Sequence, residues 1–440
     1  MKSASPDSPS TATVAQPTTS PMQRGAFFRQ SGWMVFAAVF GGLSMYAVHP
    51  MAKFIPKSEY GILGLLLALL NCLAIPAVGL QMVFAQQTAA AVSEEERRRL
   101  ATASRGVLFG TFVIWGLFAV IALVYQDAIV MRWKISNPLA LWITLFIGLG
   151  ALWAPVLLGL MQGMQNFFWF GWASILNGLG RVAGVAIIVL VFHGYATGMV
   201  GGIFAGTAIL IGIFAWQTSA VWRGPGAAFD WKPWFARVLP LTLGFGAFQF
   251  MFSADPLFVQ AYFDENLTGF YTAAGTLARA LVGFTVPVVA VMFPKIVRSV
   301  ASAQRTDVVG LTLIITAAMA SCGALSLSLI GPTLLTFIYS ASFSAAAGPL
   351  LPWFAWSMVP LALANVLVND LLARSRFEVA PWLVTVAVGY GLAMTVFHDT
   401  FLSVIKTLGT FNLLFLVIAL FFSWRDRRSA GAAVPVAGAV

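Results

Sequence analysis

The chain has 440 residues, of which 60% are hydrophobic and 9% charged, against roughly 45–50% and about 25% in soluble domains. So few charges cannot keep a soluble surface in solution, which excludes a soluble enzyme, a secreted domain and a DNA-binding protein. Lys and Arg exceed Asp and Glu by 25 − 15 = +10, and in a membrane protein such an excess reflects positive charge gathered on the cytoplasmic face. Cys72 and Cys322 fall in apolar runs, so neither a disulfide nor a thiolate metal site is expected.

Residues 1–24 are Ser, Thr, Pro and Ala with few large apolar side chains. They read as a disordered cytoplasmic tail, because they have too little apolar surface to bury. Beyond them, apolar stretches long enough to cross about 30 Å of hydrocarbon repeat to the end. The spans are expected near 31–51, 60–83, 106–126, 139–161, 169–192, 197–219, 238–262, 269–293, 308–330, 350–372, 380–398 and 401–423. Backbone groups cannot stay unpaired in lipid, and the runs lack strand-like alternation, so they are helices. The expected fold is an all-α polytopic membrane protein of about twelve transmembrane helices in two six-helix lobes.

The lobes are placed at 25–219 and 238–424, with a linker at 220–237 and a cytoplasmic tail at 425–440. Trp222, Trp231 and Trp234 alternate with Arg and Lys in the linker, a composition suited to the membrane interface. With the N-terminus inside, 18 Lys and Arg fall in cytoplasmic segments and 4 in outer ones, Lys53, Lys57, Arg132 and Lys134. Both termini are therefore expected to be cytoplasmic. Six helices per lobe return the chain to its starting side, so the lobes are expected to be parallel repeats. An internal echo agrees: SEYGILGLLLALLN from Ser58 and NLTGFYTAAGTLAR from Asn266 superpose Gly61 on Gly269 and Asn71 on Arg279.

No phosphate-cradling G-x-x-x-x-G-K-[ST], H-E-x-x-H or G-x-S-x-G sequence occurs. No metal or cofactor is expected, and the chain is read as a transporter rather than an enzyme. The informative residues are the ionisable groups inside hydrocarbon, each costing at least about 2.5–3.5 kcal/mol at mid-bilayer. They are Arg181 in the fifth span, Asp255 in the seventh and Arg279 in the eighth. Pro256 removes a backbone donor and frees the carbonyl of Phe252. Taking the turn between spans seven and eight near Asn266, Asp255 and Arg279 differ in depth by only about 3 Å, so an ion pair is geometrically possible.

In the functional reading, Arg181 and Arg279 receive an anionic headgroup in a hydrated cavity, with Asp255 as switch or counter-ion. In the structural reading, Asp255 and Arg279 are an ion pair and neighbouring carbonyls neutralise Arg181. Lys406 near an outer end can snorkel, and Asp370 beside Arg374 reads as a surface pair. His49, His193 and His398 at outer helix ends read as ordinary interfacial histidines. EEERRR from Glu94 to Arg99 reads as a solvated helix end with i,i+3 pairs. Gly180 with Gly184, and Gly198, Gly202 and Gly206, read as helix-packing ridges.

The stretch SADPLFVQAYFDENLTGFYTAAGTLARALVGFTVPVVAVMFPKI from Ser253 resembles the seventh-to-eighth-helix hairpin of polysaccharide flippases. There an Asp precedes an apolar run, Gly-x-Tyr opens the next helix, and Phe-Pro ends it. IGPTLLTFIYSASFSAAAGPLLPWFAW from Ile330 resembles their ninth-to-tenth connection, and PKSEYGILGLLLAL from Pro56 their first outer turn. These flippases belong to the multidrug/oligosaccharidyl-lipid/polysaccharide exporter superfamily. The resemblance implies two lobes around a cationic cavity and a polyprenyl-pyrophosphate-linked sugar as substrate. Arg279 falls where the similar helix of the lipid II flippase carries an arginine. Its context of Thr276, Leu277 and Ala278 lacks that protein's tyrosine, which favours the broader polysaccharide group.

The expected function is therefore a flippase that moves an anionic lipid-linked oligosaccharide across the bacterial cytoplasmic membrane by alternating access. The substrate-binding residues are Arg181, Arg279 and Asp255. The expected partners are the bilayer, a polysaccharide polymerase and glycosyltransferases, and no nucleic acid. The alternatives are a cation-coupled multidrug or metabolite antiporter and a non-transporting scaffold of an envelope-assembly complex.

Overall fold

A computed structural model gives the fold. It describes residues 33, 36, 37, 40–77, 79–301 and 308–432, with side chains described to Thr285 and again from Val309 to Arg428. The expected N-terminal tail lies outside these residues, as do the start of the first expected span and the end of the C-terminal tail. The described regular structure is helical throughout.

α1 is helical over 40–46, and a 3-10 turn at His49–Phe54 leads to α2 (Lys57–Leu73). A second 3-10 turn at Ile75–Ala77, carrying Pro76, separates α2 from α3 (Leu80–Ala90). The expected second span thus bends where proline withholds its backbone donor. α4 (Glu94–Val124), α5 (Gln126–Arg132), α6 (Pro138–Gly163), α7 (Phe167–Leu190), α8 (Tyr195–Gln217) and the short α9 (Ser219–Trp222) complete the first half. The second half comprises α10 (Trp231–Ser253), α11 (Asp255–Tyr262), α12 (Glu265–Ala301), α13 (Val308–Ile338), α14 (Ala341–Ala347), α15 (Leu351–Ala373), α16 (Ala380–Met394) and α17 (Phe401–Ala432).

Ten helical segments among the described residues are long and apolar enough to cross a bilayer. α12 and the first expected span run into residues whose side chains or placement are not described. Local signals set the boundaries. Ser93 and Glu96 form a reciprocal capping box at the start of α4. The charge run pairs at i,i+4, Glu94 with Arg98 and Glu95 with Arg99, rather than at i,i+3. Asn137, Asn166 and Asp230 cap α6, α7 and α10 through their side chains. α10 starts at Trp231, so the last part of the expected interfacial linker is already helix.

Small residues determine the close crossings. A Cβ on Gly184 would meet the Gly202 backbone, and one on Gly180 would meet Gly206, so the expected glycine ridges join α7 to α8. Between the halves, α2 crosses α12. There a Cβ on Gly61 would collide with Thr268, and one on Gly269 with the Lys57 carbonyl. The two glycines superposed by the internal echo therefore meet at one helix crossing. The first half also reaches the second through contacts of α2 with α10 and α11.

Gly269→Leu should force α2 and α12 apart and lower stability by about 1–3 kcal/mol, the usual cost of overpacking. A thermal melt of the purified protein checks this; an unchanged melting temperature would mean that the crossing is not tight.

Candidate functional site

The site begins with Pro256. Lacking an N–H, it cannot bond the Phe252 carbonyl, and the expected seventh span breaks at Ala254 into α10 and α11. Asp255 thereby becomes the first residue of α11, where a carboxylate meets the positive end of the helix. The freed Phe252 carbonyl accepts a hydrogen bond from Nε of Arg279 at 3.0 Å. The same guanidinium donates through Nη2 to Oδ2 of Asp255. The Tyr271 hydroxyl donates to that oxygen at 2.6 Å. Asp255 is fully buried, while the Arg279 side chain keeps 13% exposure.

The turn into α12 lies at 263–264, earlier than Asn266. Asp255 is 9 residues before Asp264 and Arg279 is 15 after it, so their backbones differ in depth by about 9 Å rather than 3. The pair still closes because helical side chains lean toward the N-terminus. Arg279 lies back over Gly275, where a Cβ would meet its Nη1, and its guanidinium packs on the Phe354 ring at 5.3 Å. Tyr271, Gly275 and Arg279 stand at i, i+4 and i+8 on one face of α12. That spacing was the available signal for Tyr271, which the sequence reading missed.

Arg279 and Arg181 both line one cavity of about 390 Å³, together with Tyr46, His49, Asn71 and Thr276. Since a water takes about 30 Å³ of liquid volume, the space holds on the order of a dozen waters. Arg181, on α7, is partly buried, and its Nε has no hydrogen-bond partner. None of the ion pairs found among the described residues includes it. Among the described residues no Asp or Glu lines the cavity; Asp255 sits behind Arg279. The lining is therefore positive, with one guanidinium neutralised from behind and one not. Asn71, the counterpart of Arg279 in the internal echo, faces the same space.

One turn beyond the cavity along α2, contacts join the two halves of the chain. The Tyr60 hydroxyl lies 2.9 Å from that of Tyr339 and 2.7 Å from Nδ1 of His49, which gives His49 a part in a buried chain rather than an interfacial one. All four cations expected on the outer face reach the second half of the chain. Lys53 donates to the Phe337 carbonyl, and Lys134 donates to that of Phe263. Lys57 and Arg132 lie over the rings of Phe270 and Tyr262. Elsewhere, Asp370 pairs with Arg374 at 2.7 Å, and Lys406 lies over the Trp353 ring. His398 stacks on Tyr262.

No curated protein matches the chain in sequence. Among solved structures, an inward-facing multidrug resistance MATE family transporter of the MOP superfamily superposes with a TM-score of 0.74 at 10% identity, covering 90% of this chain and 96% of that one. The lipid II flippase MurJ in an inward closed conformation gives 0.67 at 12%, covering 92% and 90%. A MOP superfamily transporter from Pyrococcus furiosus, described as having a binding pocket of reversed polarity, gives 0.56 at 14%, covering 93% and 96%. At these identities the likeness establishes the fold, that of the MOP superfamily transporters. The sequence profile described as polysaccharide biosynthesis protein matches residues 27–300, well over half of the chain, and the chain belongs to that family.

Proposed function

We propose that this protein is a flippase that moves a polyprenyl-pyrophosphate-linked oligosaccharide across the bacterial cytoplasmic membrane for cell-surface polysaccharide assembly. The observation that carries the reading is the sign of the cavity: two guanidinium groups and, among the described residues, no carboxylate on its surface. A diphosphate brings two or more negative charges and several acceptor oxygens, and arginine forks match such oxygens in geometry and charge. At about 390 Å³ the cavity falls in the range of single small-molecule sites, suited to a diphosphate and its nearest sugar. The prenyl tail stays in lipid.

In this reading the two lobes, 25–219 and 238–424, rock about the crossing of α2 and α12. Arg181 supplies free positive charge. Arg279 is held in place by Asp255 and Tyr271 while presenting its remaining donors. Asp255 acts as counter-ion and switch, because an arriving diphosphate competes with it for Arg279. The charge count puts the end joined by Tyr60 and Tyr339 on the outside, so the described state holds its halves together toward the exterior. A polysaccharide polymerase and glycosyltransferases are the protein partners this role calls for.

A cation-coupled multidrug antiporter shares the fold, but a cationic drug needs an anionic surface, and Asp255 has no exposed area to offer. A scaffold would have no need of an unpaired intramembrane arginine, which is expensive to insert.

Arg181→Gln should reduce flipping of a polyprenyl-diphosphate sugar in proteoliposomes by about tenfold or more, the usual scale for a charge-assisted contact of about 1.5–3 kcal/mol. Its melting temperature should stay near wild type, since the side chain has no ionic partner to orphan. Wild-type flipping by this variant would remove Arg181 from the site. Arg279→Ala should abolish export with normal membrane insertion; a fully active variant would defeat the cavity reading.

Asp255→Ala orphans Arg279 and should cost about 3–5 kcal/mol of stability. The double variant Asp255→Asn with Arg279→Gln should recover much of that loss in a thermal melt without recovering transport. Recovery of both would make the pair purely structural.

A further inference from the structure

A second cavity, of about 730 Å³, lies at the opposite end of the helices from the Tyr60–Tyr339 contact. It is formed where the chain joins its halves, between α3, the first turns of α4, residues 228–230 and the start of α10. Two cations line it, Arg99 and Arg237. Arg99 spends one donor on Glu95, and Arg237 spends one on the Gln86 side chain at 2.9 Å. A guanidinium has five N–H donors in a fixed fork, so each keeps most of them. The one carboxylate in the lining, Asp230, is engaged in capping α10 through the Lys232 amide.

The observation that points to a ligand is Trp234. Its side chain is only 7% exposed and lines this cavity, yet its indole Nε1 has no hydrogen-bond partner. Edge-on packing against Phe84 and Trp231 fixes the ring in place. An indole can only donate, and a buried donor left unpaired costs about 1–3 kcal/mol, so the missing partner is an acceptor. The side-chain oxygen of Gln87, another residue of this lining, is likewise buried and unpartnered. Two arginine forks and an orphan indole N–H, at a membrane interface marked by clustered tryptophans, suit an anionic headgroup with several oxygens.

We infer that this pocket binds the phosphate of a lipid in the leaflet facing the basic end of the protein. Basic pockets between transmembrane helices on the cytoplasmic side are recognised sites for such headgroups. The phosphate oxygens accept from Arg99, Arg237 and the Trp234 indole, while the chains stay in the bilayer. The phosphate belongs either to a membrane phospholipid or to a polyprenyl diphosphate waiting to enter. The site shares no residue with the central cavity, so it stands or falls separately from the transport reading.

The test is lipid retention by the full chain, followed by native mass spectrometry in detergent supplemented with phosphatidylglycerol in one arm and a polyprenyl diphosphate in the other. The double variant Arg99→Gln with Arg237→Gln should bind the recognised lipid about 25-fold more weakly, from roughly fivefold per arginine. Trp234→Phe removes the indole N–H along with part of the ring and should weaken binding several-fold, while a lower melting temperature reports the packing lost at this buried site. Lys406→Gln at the other end should bind both lipids as wild type. Sensitivity confined to phosphatidylglycerol assigns the pocket to a membrane phospholipid, and sensitivity confined to the prenyl diphosphate assigns it to the cargo. Wild-type retention of both lipids by the arginine and tryptophan variants would overturn the inference.

Discussion

The arrangement of the central cavity depends on the junction of Asp255, Arg279 and the Phe252 carbonyl. A proline that cannot donate a hydrogen bond breaks a membrane helix. The break leaves a carbonyl without its helical partner, and an arginine from α12 bonds it at 3.0 Å. The same break sets a carboxylate at a helix start, where it neutralises that arginine. Each group would be costly alone, and together they satisfy one another. The result is a guanidinium pinned from behind by Asp255 and Tyr271 while still facing an aqueous space.

The net sign of that space follows from an asymmetry between its two arginines. Arg279 brings a counter-ion and Arg181 does not. With no acidic side chain on the surface among the described residues, the cavity carries uncompensated positive charge inside a low-dielectric wall, where electrostatic attraction is much stronger than in water. Such a site attracts anions and repels cations. The glycine crossing of α2 and α12 sets how closely the halves approach beside it, and the contacts of Tyr60 with Tyr339 and of four basic side chains join the halves at one end. Dense links between the halves at one end and a cavity between them are what a rocking carrier requires.

Much of this was legible in the sequence because lipid leaves few options. Apolar length alone located most of the helices. The placement of Arg181, Asp255 and Arg279 in apolar runs singled out two residues that line one cavity and the partner of one of them, and Pro256 identified the carbonyl that Arg279 engages. The Gly61 and Gly269 echo pointed only to repeated lobes; that the two glycines meet at one crossing is a contact it does not predict. What escaped notice depended on side-chain direction and on three-dimensional meeting points. The turn at 263–264 falls earlier than expected, and only the backward lean of Arg279 over Gly275 restores the pair. Tyr271 and the chain of His49, Tyr60 and Tyr339 involve residue types that are unremarkable in apolar helices. Tyr60 and Tyr339 also lie 279 positions apart in sequence. The start of α10 at Trp231 was masked by an interfacial composition that suits a helix end as well as a loop.

The central claim is that the two intramembrane arginines receive a diphosphate. It is tested most directly by determining the structure with a polyprenyl-diphosphate-linked sugar bound. The account predicts diphosphate density between the guanidinium groups of Arg181 and Arg279, with the sugar in the cavity and the prenyl chain leaving toward lipid. Density for the headgroup elsewhere, with both arginines unliganded, would contradict it.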